Sequence, residues 1–278
     1  MPETFLMCEP KYFDVDYVIN PWMKGQVHKI DHALAKEQWQ NFYKNLQQVA
    51  TVELIKPEPN MPDLVFTANA GLILNKQVIL SHFRPPERRP EESVFKRWFE
   101  EQGYSVSSLP DDIYFEGHGD ALFHSNKKLL WSGYGIRTEP KALDALKKQI
   151  SIPLIPLELI DEKFYHLDTC LCPLLDNFLI YYPPAFSKES NQLIEATVPK
   201  QNRIAIGEED AAHFACNLVL ARTNKIPGKK GVLFVNAITS KLQAQLEALG
   251  YQVQIQPVTE FRKAGGGNQC LTLKLAHK

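Results

Sequence analysis

Ala70-Gly-Leu-Ile-Leu-Asn-Lys-Gln-Val-Ile-Leu80 reads as two short apolar runs folded back on each other about Asn75-Lys76, a β-hairpin. Immediately downstream the period changes. Val94, Phe95, Trp98 and Phe99 recur at helical spacing across 91–102, Pro90 suits a first turn, and Gly103 stands where a left-handed stop is needed. Tyr104-Ser-Val106 then returns to a strand-like run. The local unit is therefore strand, strand, helix, strand, and it decides the fold because it recurs with a period near 50 residues.

Working outward, Ala121-Leu-Phe123 and Leu129-Leu-Trp131 flank Ser125-Asn126 and precede a helix over 140–150 with Thr138 as its expected N-cap; Ile152–Ile155 follows. Thr169–Cys172 and Phe178–Tyr181 flank Asp176-Asn177 before a helix over 188–197 and the strand Arg203–Ile206. Leu218–Leu220 and Val232–Val235 precede a helix over 240–249, capped by Ser240 and stopped by Gly250, and then Tyr251–Ile255. One helix, 31–49, has its strand Val52–Ile55 but no hairpin of its own. The orphan strand Thr4–Cys8 can pair with Leu271–Leu275, which completes the fifth unit, closes the ring and removes a sheet edge. The expected fold is α/β: a five-bladed, pseudo-fivefold β/α propeller of ββαβ repeats, with residues 1–278 forming a single catalytic domain.

Composition excludes several function classes. A chain of 278 residues, 44% apolar, with formal charge −1 has ample material for a core and no basic tract for nucleic acid. No apolar run approaches the roughly 20 residues of a membrane span, and Met1–Leu6 lacks the basic and apolar regions of a secretion signal, so a cytoplasmic address is expected. Five cysteines at scattered spacing (Cys8, Cys170, Cys172, Cys216, Cys270) suit reduced thiols, and Cys170-Leu-Cys172 lacks the further ligands of a zinc set. Nothing in the sequence calls for a metal or another cofactor, and it leaves the oligomeric state open.

Polar residues recur on the same period. Asn20, Asn69, Glu116, His166, Asn217 and Cys270 lie 49, 47, 50, 51 and 53 residues apart, and all but Asn20 stand at the mouth of a hairpin. Equivalent positions in a closed ring converge on its axis. Cys270 follows the run Gly265-Gly-Gly267, which admits close approach, and the strand after it is expected to hold the thiol rigidly. Glu116-Gly-His-Gly-Asp120 can turn both carboxylates to one spot, and strand alternation would put His166 and Asp168 on one face. Carboxylates raise a neighbouring thiol's pKa, so the set makes sense if the substrate carries a cation that neutralises them. A planar guanidinium fits, because its donors pair with carboxylates two at a time. Cys270 would attack its central carbon, and His166 would protonate the departing amine and then activate water.

The ordered set Pro62-Asp63-Leu-Val-Phe66, Arg88-Arg89, Phe115-Glu116-Gly-His-Gly-Asp120, Gly135-Ile-Arg137-Thr, His166-Leu-Asp-Thr169 and Gly265-Gly-Gly-Asn-Gln-Cys270 resembles the guanidino-group-modifying superfamily of arginine deiminases, dimethylarginine dimethylaminohydrolases and amidinotransferases. The resemblance spans nearly the whole chain. It implies the pentein fold, with Cys270 as nucleophile, His166 as acid and base, Glu116 and Asp168 on the guanidinium, and Asp63, Arg88 and Arg137 as candidates for gripping an amino-acid head group. Asp120 and Asn20 join the substrate-binding set. Asp168 stands where dimethylarginine hydrolases typically carry Lys, which suits an unmethylated guanidinium. Asn69 replaces the usual acidic residue; with Asn20-Pro-Trp-Met23 and the Glu116–Asp120 loop it resembles the arginine dihydrolase branch, which takes arginine through citrulline to ornithine, carbon dioxide and ammonia. An amide can donate to the carbonyl of a urea, which a carboxylate would repel.

A deiminase, a dimethylargininase, an amidinotransferase or an arginine-binding sensor on the same scaffold are the competing readings; the complete Cys270, His166 and Glu116 set argues against a mere binder. Asn217 fits either a turn-holding or a site role, and His118 and His124 are expected to face solvent or line the entrance.

Overall fold

The computed structural model describes residues 3–124 and 128–275. Its chain order is β1 (Thr4–Cys8), α1 (His32–Gln47), β2 (Thr51–Ile55), β3 (Gly71–Leu74), β4 (Gln77–Leu80), α2 (Arg89–Glu101), β5 (Ser105–Ser107), β6 (Ala121–Phe123), β7 (Leu130–Tyr134), α3 (Pro140–Gln149) and β8 (Leu154–Glu158). There follow β9 (Leu171–Pro173), β10 (Leu179–Tyr181), α4 (Lys188–Thr197), β11 (Arg203–Ala205), α5 (Glu208–Ala212), β12 (Val219–Arg222), β13 (Gly231–Val235), α6 (Ser240–Ala248), β14 (Tyr251–Ile255), α7 (Thr259–Arg262) and β15 (Leu273–Leu275).

The strands form five three-stranded sheets, ordered β15-β1-β2, β3-β4-β5, β6-β7-β8, β9-β10-β11 and β12-β13-β14. Each joins one antiparallel hairpin pair to one parallel pair, the parallel strand arriving after a crossover helix. In the β15-β1-β2 sheet the hairpin is made by distant segments, with Thr4 opposite Leu275 and Leu6 opposite Leu273. This is the five-bladed α/β pentein architecture that the repeat predicts.

Between sheets and helices lie Phe42, Phe95, Phe99, Trp131, Phe234 and Leu246, all fully buried. Each such side chain contributes about 1.5–3 kcal/mol through loss of water contact. The helix stops fall at Gly103 and Gly250, with φ of 73° and 92°. Asp176 and Asn177 take left-handed φ in their turn, while the Ser125-Asn126 turn lies outside the described residues. Among the described residues no helix is long and apolar enough to cross a membrane.

The caps differ from expectation in two helices. Thr239, not Ser240, caps α6, its Oγ1 accepting from Leu242 N at 3.3 Å. Glu139 precedes α3 without a side-chain cap, because the Thr138 hydroxyl is engaged elsewhere: it accepts from Glu116 N at 3.1 Å and donates to Asp120 Oδ2 at 2.7 Å.

Two expected strands are shorter. Residues 167–169 form a tight turn after His166, in which Thr169 Oγ1 donates to His166 O at 2.6 Å and Asp120 Oδ1 accepts from Leu167 N at 3.0 Å. These local side-chain bonds displace the ladder that alternation suggests. Likewise β15 begins at Leu273, since Thr272 N turns back to Gln269 O at 3.0 Å; Cys270 therefore sits on a turn just before the strand.

Candidate active site

Hairpins begin on one side of the ring and run away from it, so the residues before β3, β6, β9, β12 and β15 meet at one end of the axis. Asn69 and Glu116 lie there with His166, Asp168, Asn217 and Cys270, all buried. Cys270 Sγ donates to Asp168 Oδ2 over 3.7 Å and accepts from Asn217 Nδ2 at 3.2 Å, while Cys270 N donates to Asn217 Oδ1 at 3.2 Å. Asn217 also donates to Asp168 O at 3.1 Å. It thus ties together the two segments that meet at the thiol, and its amide touches the thiol itself.

Burial pushes the Cys270 thiol well above its ordinary range, and the Asp168 carboxylate adds to this. Asp168 is itself pushed up to about 7, by burial first and by Asp120, against the partly offsetting charge of His166. Its Oδ1 is buried without a hydrogen-bond partner. A buried carboxylate oxygen left open beside a thiol is costly unless something cationic or donating completes it.

Glu116 is the opposite case. Burial would raise its carboxyl, but Arg137 at 2.9 Å and His166 Nε2 at 2.8 Å, both on Oε2, outweigh burial and hold it well below the usual carboxylate range. Arg84 N donates to the other oxygen at 3.2 Å. Arg137 lies over the Tyr165 ring and also donates to Ile19 O at 2.9 Å.

Asn69 is oriented by its neighbours. Arg88 Nη1 donates to Asn69 Oδ1 at 3.0 Å, and because a guanidinium offers only donors, the atom facing it must be the amide oxygen. The amide nitrogen therefore faces the other way, where it donates to Glu116 O at 3.3 Å. Arg88 is anchored in turn by Glu91 through two bonds of 2.9 and 2.7 Å. Gly119 fits against this amide: a Cβ there would drive into Asn69 Nδ2, and a Cβ on Gly266 would enter the Phe66 ring.

Asn69, Arg88, Arg137, Cys270, Asp63 and Asn20 share the lining of one cavity of only about 10 Å3. Asp63 accepts from Tyr17 OH at 2.9 Å through Oδ2, its buried Oδ1 is open, and burial raises its pKa despite Arg88. Asn20 spends its polar atoms on structure, accepting from Trp22 N and Met23 N and donating to Ala264 O. Asp120 does the same with both oxygens, toward Thr138 and Leu167 N. All ten expected site residues thus converge, but Asn20, Asp120 and Glu116 meet protein donors rather than open space.

The two histidines expected near solvent differ. His124 is buried, its Nδ1 accepting from Trp131 Nε1 at 3.2 Å and its Nε2 facing Asn177 Oδ1 at 3.0 Å. His118 lines a second cavity, below the thiol. Sequence reading missed Thr138, Glu91, Tyr17 and Tyr165, whose hydroxyl donates to Gly265 O at 2.8 Å. Only Glu91 carried a signal, since it stands three residues after Arg88 at a helix start.

Asp14, Asp16 and His28 bring ligand atoms within 4.8 Å of one another at the surface; among the described residues no such group occurs at the thiol.

The family described as N,N dimethylarginine dimethylhydrolase, eukaryotic, matches residues 9–277. The bifunctional arginine dihydrolase/ornithine cyclodeaminase AgrE of Nostoc sp. is 49% identical over 271 residues, covering 98% of this chain and 37% of the relative. The N(G),N(G)-dimethylarginine dimethylaminohydrolase of Mycobacterium tuberculosis is 34% identical over 272 residues, covering 98% of this chain and 85% of its own. Among solved structures, the product-bound N-terminal domain of ArgZ, an arginine dihydrolase from cyanobacteria, superposes with a TM-score of 0.95 at 46% identity, covering 100% of this chain and 98% of that one. The chain spans 37% of the length of the bifunctional cyanobacterial relatives.

Proposed function

We propose, since this chain belongs to the N,N dimethylarginine dimethylhydrolase family, that residues 1–278 form one catalytic domain that hydrolyses the guanidino group of arginine as an arginine dihydrolase. The observation that carries the reading is the open, buried Oδ1 of Asp168, whose other oxygen lies 3.7 Å from Cys270 Sγ. A guanidinium would complete that carboxylate, and its charge would lower the thiol's pKa where the attack is to occur.

The steps then balance. The Cys270 thiolate adds to the guanidino carbon, His166 protonates the departing nitrogen, and ammonia leaves an amidino-thioether. Water, deprotonated by His166, attacks that carbon and the thiolate departs, giving citrulline. Repeating the sequence on the ureido carbon releases a second ammonia and, through a thiocarbamate, carbon dioxide and ornithine. Glu116 orients His166, and Asp120 holds the backbone of Leu167 beside it. Arg88, Arg137 and Asp63 grip the amino-acid end, Asn20 ties the covering segment to the glycine run, and Asn69 donates to the ureido oxygen in the second half.

Asn69 and the arginine dihydrolase names of relatives at 49% and 47% identity favour this over the second reading, hydrolysis of methylated arginine, which the family match and the mycobacterial relative support. The five free, buried cysteines suit the reducing cytoplasm as the working compartment.

The test is mass-spectrometric product analysis with L-arginine and with dimethylarginine, beside Cys270→Ala. Ornithine from arginine, abolished by the substitution, is expected. Citrulline as the sole product makes it a deiminase, turnover of the methylated substrate alone makes it a dimethylargininase, and binding of arginine without turnover makes it a sensor.

A further inference from the structure

The cavity about the thiol is about 10 Å3 and lies under Ile19, Asn20 and Tyr165. A larger cavity, about 140 Å3, runs along the propeller axis from the opposite end. Its walls come from all five sheets, and its outer rim includes the hairpin-end residues Asn75, Leu175 and Arg222. Its inner end is made by Asp168 and Gln269. These are the residue whose carboxylate contacts Cys270 Sγ and the residue that precedes Cys270 in the chain. Asp168 is 1% exposed, while Gln269 beside the thiol is only partly buried, and both line this cavity.

We propose that this axial cavity is a rear passage for small neutral molecules, admitting hydrolytic water and releasing ammonia while the amino-acid end of the substrate fills the front. The inference rests on the hydrolytic reading above. That reaction consumes two waters and sheds two ammonia molecules per arginine while the amino-acid chain of the ligand stays in a site with almost no free volume.

The lining suits such traffic. Cys172 and Cys216 are thiols, Leu122, Leu171 and Leu218 are apolar, and burial, with Lys274 adding to it, lowers the His118 pKa to about 4, which keeps the imidazole neutral. Apart from Asp168, Arg222 and Lys274 the lining carries no charge, which favours neutral ammonia over ammonium, because an ion would have to shed its water along it. Gln269 and His118 provide polar atoms at the depth where a water would pass toward Asp168.

Plugging the rim after folding is the decisive experiment. A cysteine at Leu175→Cys, half-buried at the rim, is labelled with a bulky thiosulfonate while the five native thiols stay buried; Leu193→Cys on the outer helix α4 receives the same label as a control. Labelling at 175 is expected to cut kcat for arginine about tenfold, with KM within about twofold, because exchange of small molecules then limits turnover. The amidino-thioether on Cys270 should accumulate in acid-quenched mass spectra, and reductive removal of the label should restore the rate. Leu220→Trp, which fills the cavity from β12, should act in the same direction. A labelled Leu175→Cys protein that turns over at its unlabelled rate, with no accumulated adduct, overturns the passage while leaving the hydrolase reading intact. An unlabelled protein that yields neither citrulline nor ornithine overturns the reading itself.

Discussion

At the scale of single residues, the site is a set of donors and acceptors left deliberately unequal. Arg88 fixes the orientation of Asn69, so Asn69→Asp keeps the acceptor that Arg88 requires and removes the donor that would meet a ureido oxygen. We expect this variant to convert arginine to citrulline and to slow ornithine formation by about 10- to 100-fold, read as the citrulline-to-ornithine ratio by mass spectrometry. Asp168→Asn removes the carboxylate beside the thiol. Free enzyme should then show a Cys270 thiol with a lower pKa, measured from the pH dependence of alkylation, yet should lose affinity for arginine, because the neutral amide no longer pairs with a guanidinium. An unchanged alkylation profile would show that burial alone sets the thiol. The convergence of Cys270, His166, Glu116 and Asn69 was legible because the repeat brings equivalent positions to one axis. Thr138 was not, since its bond to Asp120 depends on how two loops meet and leaves no periodic trace.

At the scale of elements, the apolar periodicity located each crossover helix to within two or three residues, because burial of one face dominates those segments. The pairing of β1 with β15 was legible for another reason: an unpaired strand on each side of a closed ring has one partner available. The glycines of Glu116–Asp120 signalled the bend at 117–119, but the tight turns at 62–65, 67–70 and 167–169 were not legible, though they carry Asp63, Asn69 and Asp168. Their conformation is set by side-chain bonds to neighbouring loops, and alternation of apolar residues mimics a strand over so short a span. The 117–119 turn offers a direct check. Gly119→Ala would press on the Asn69 amide and the His166 ring, so a folded variant with a melting temperature lowered by about 2–4 °C per kcal/mol lost, and with kcat reduced more than KM is raised, is expected. A variant with wild-type kinetics would mean that the turn yields freely.

At the scale of the molecule, the buried carboxylates tie stability to pH. Asp168 and Glu91 are both held near 7 in the fold, from ordinary values of 3.8 and 4.5. Between those limits the folded state binds more protons than the unfolded one, so their contribution is fully present below the ordinary values and is lost as pH rises through about 7. Glu116 works in the other direction, but its depressed pKa moves its loss to strongly acidic conditions. Ligand-free protein should therefore melt higher at about pH 5 than at about pH 8, and Asp168→Asn should narrow the gap by an amount of order 2 kcal/mol. Equal gaps in the two proteins would show that Asp168 does not titrate in this range. The pairing of Thr4 with Leu275 has a bearing on time as well as on shape. A ring clasped by segments 271 residues apart cannot close on a growing chain until its last strand has emerged, and Cys270 emerges only just before that strand. Such long-range closure is slow for entropic reasons. The Cys270 thiol and the β1–β15 pairing beside it are thus expected to come into being together, late in synthesis.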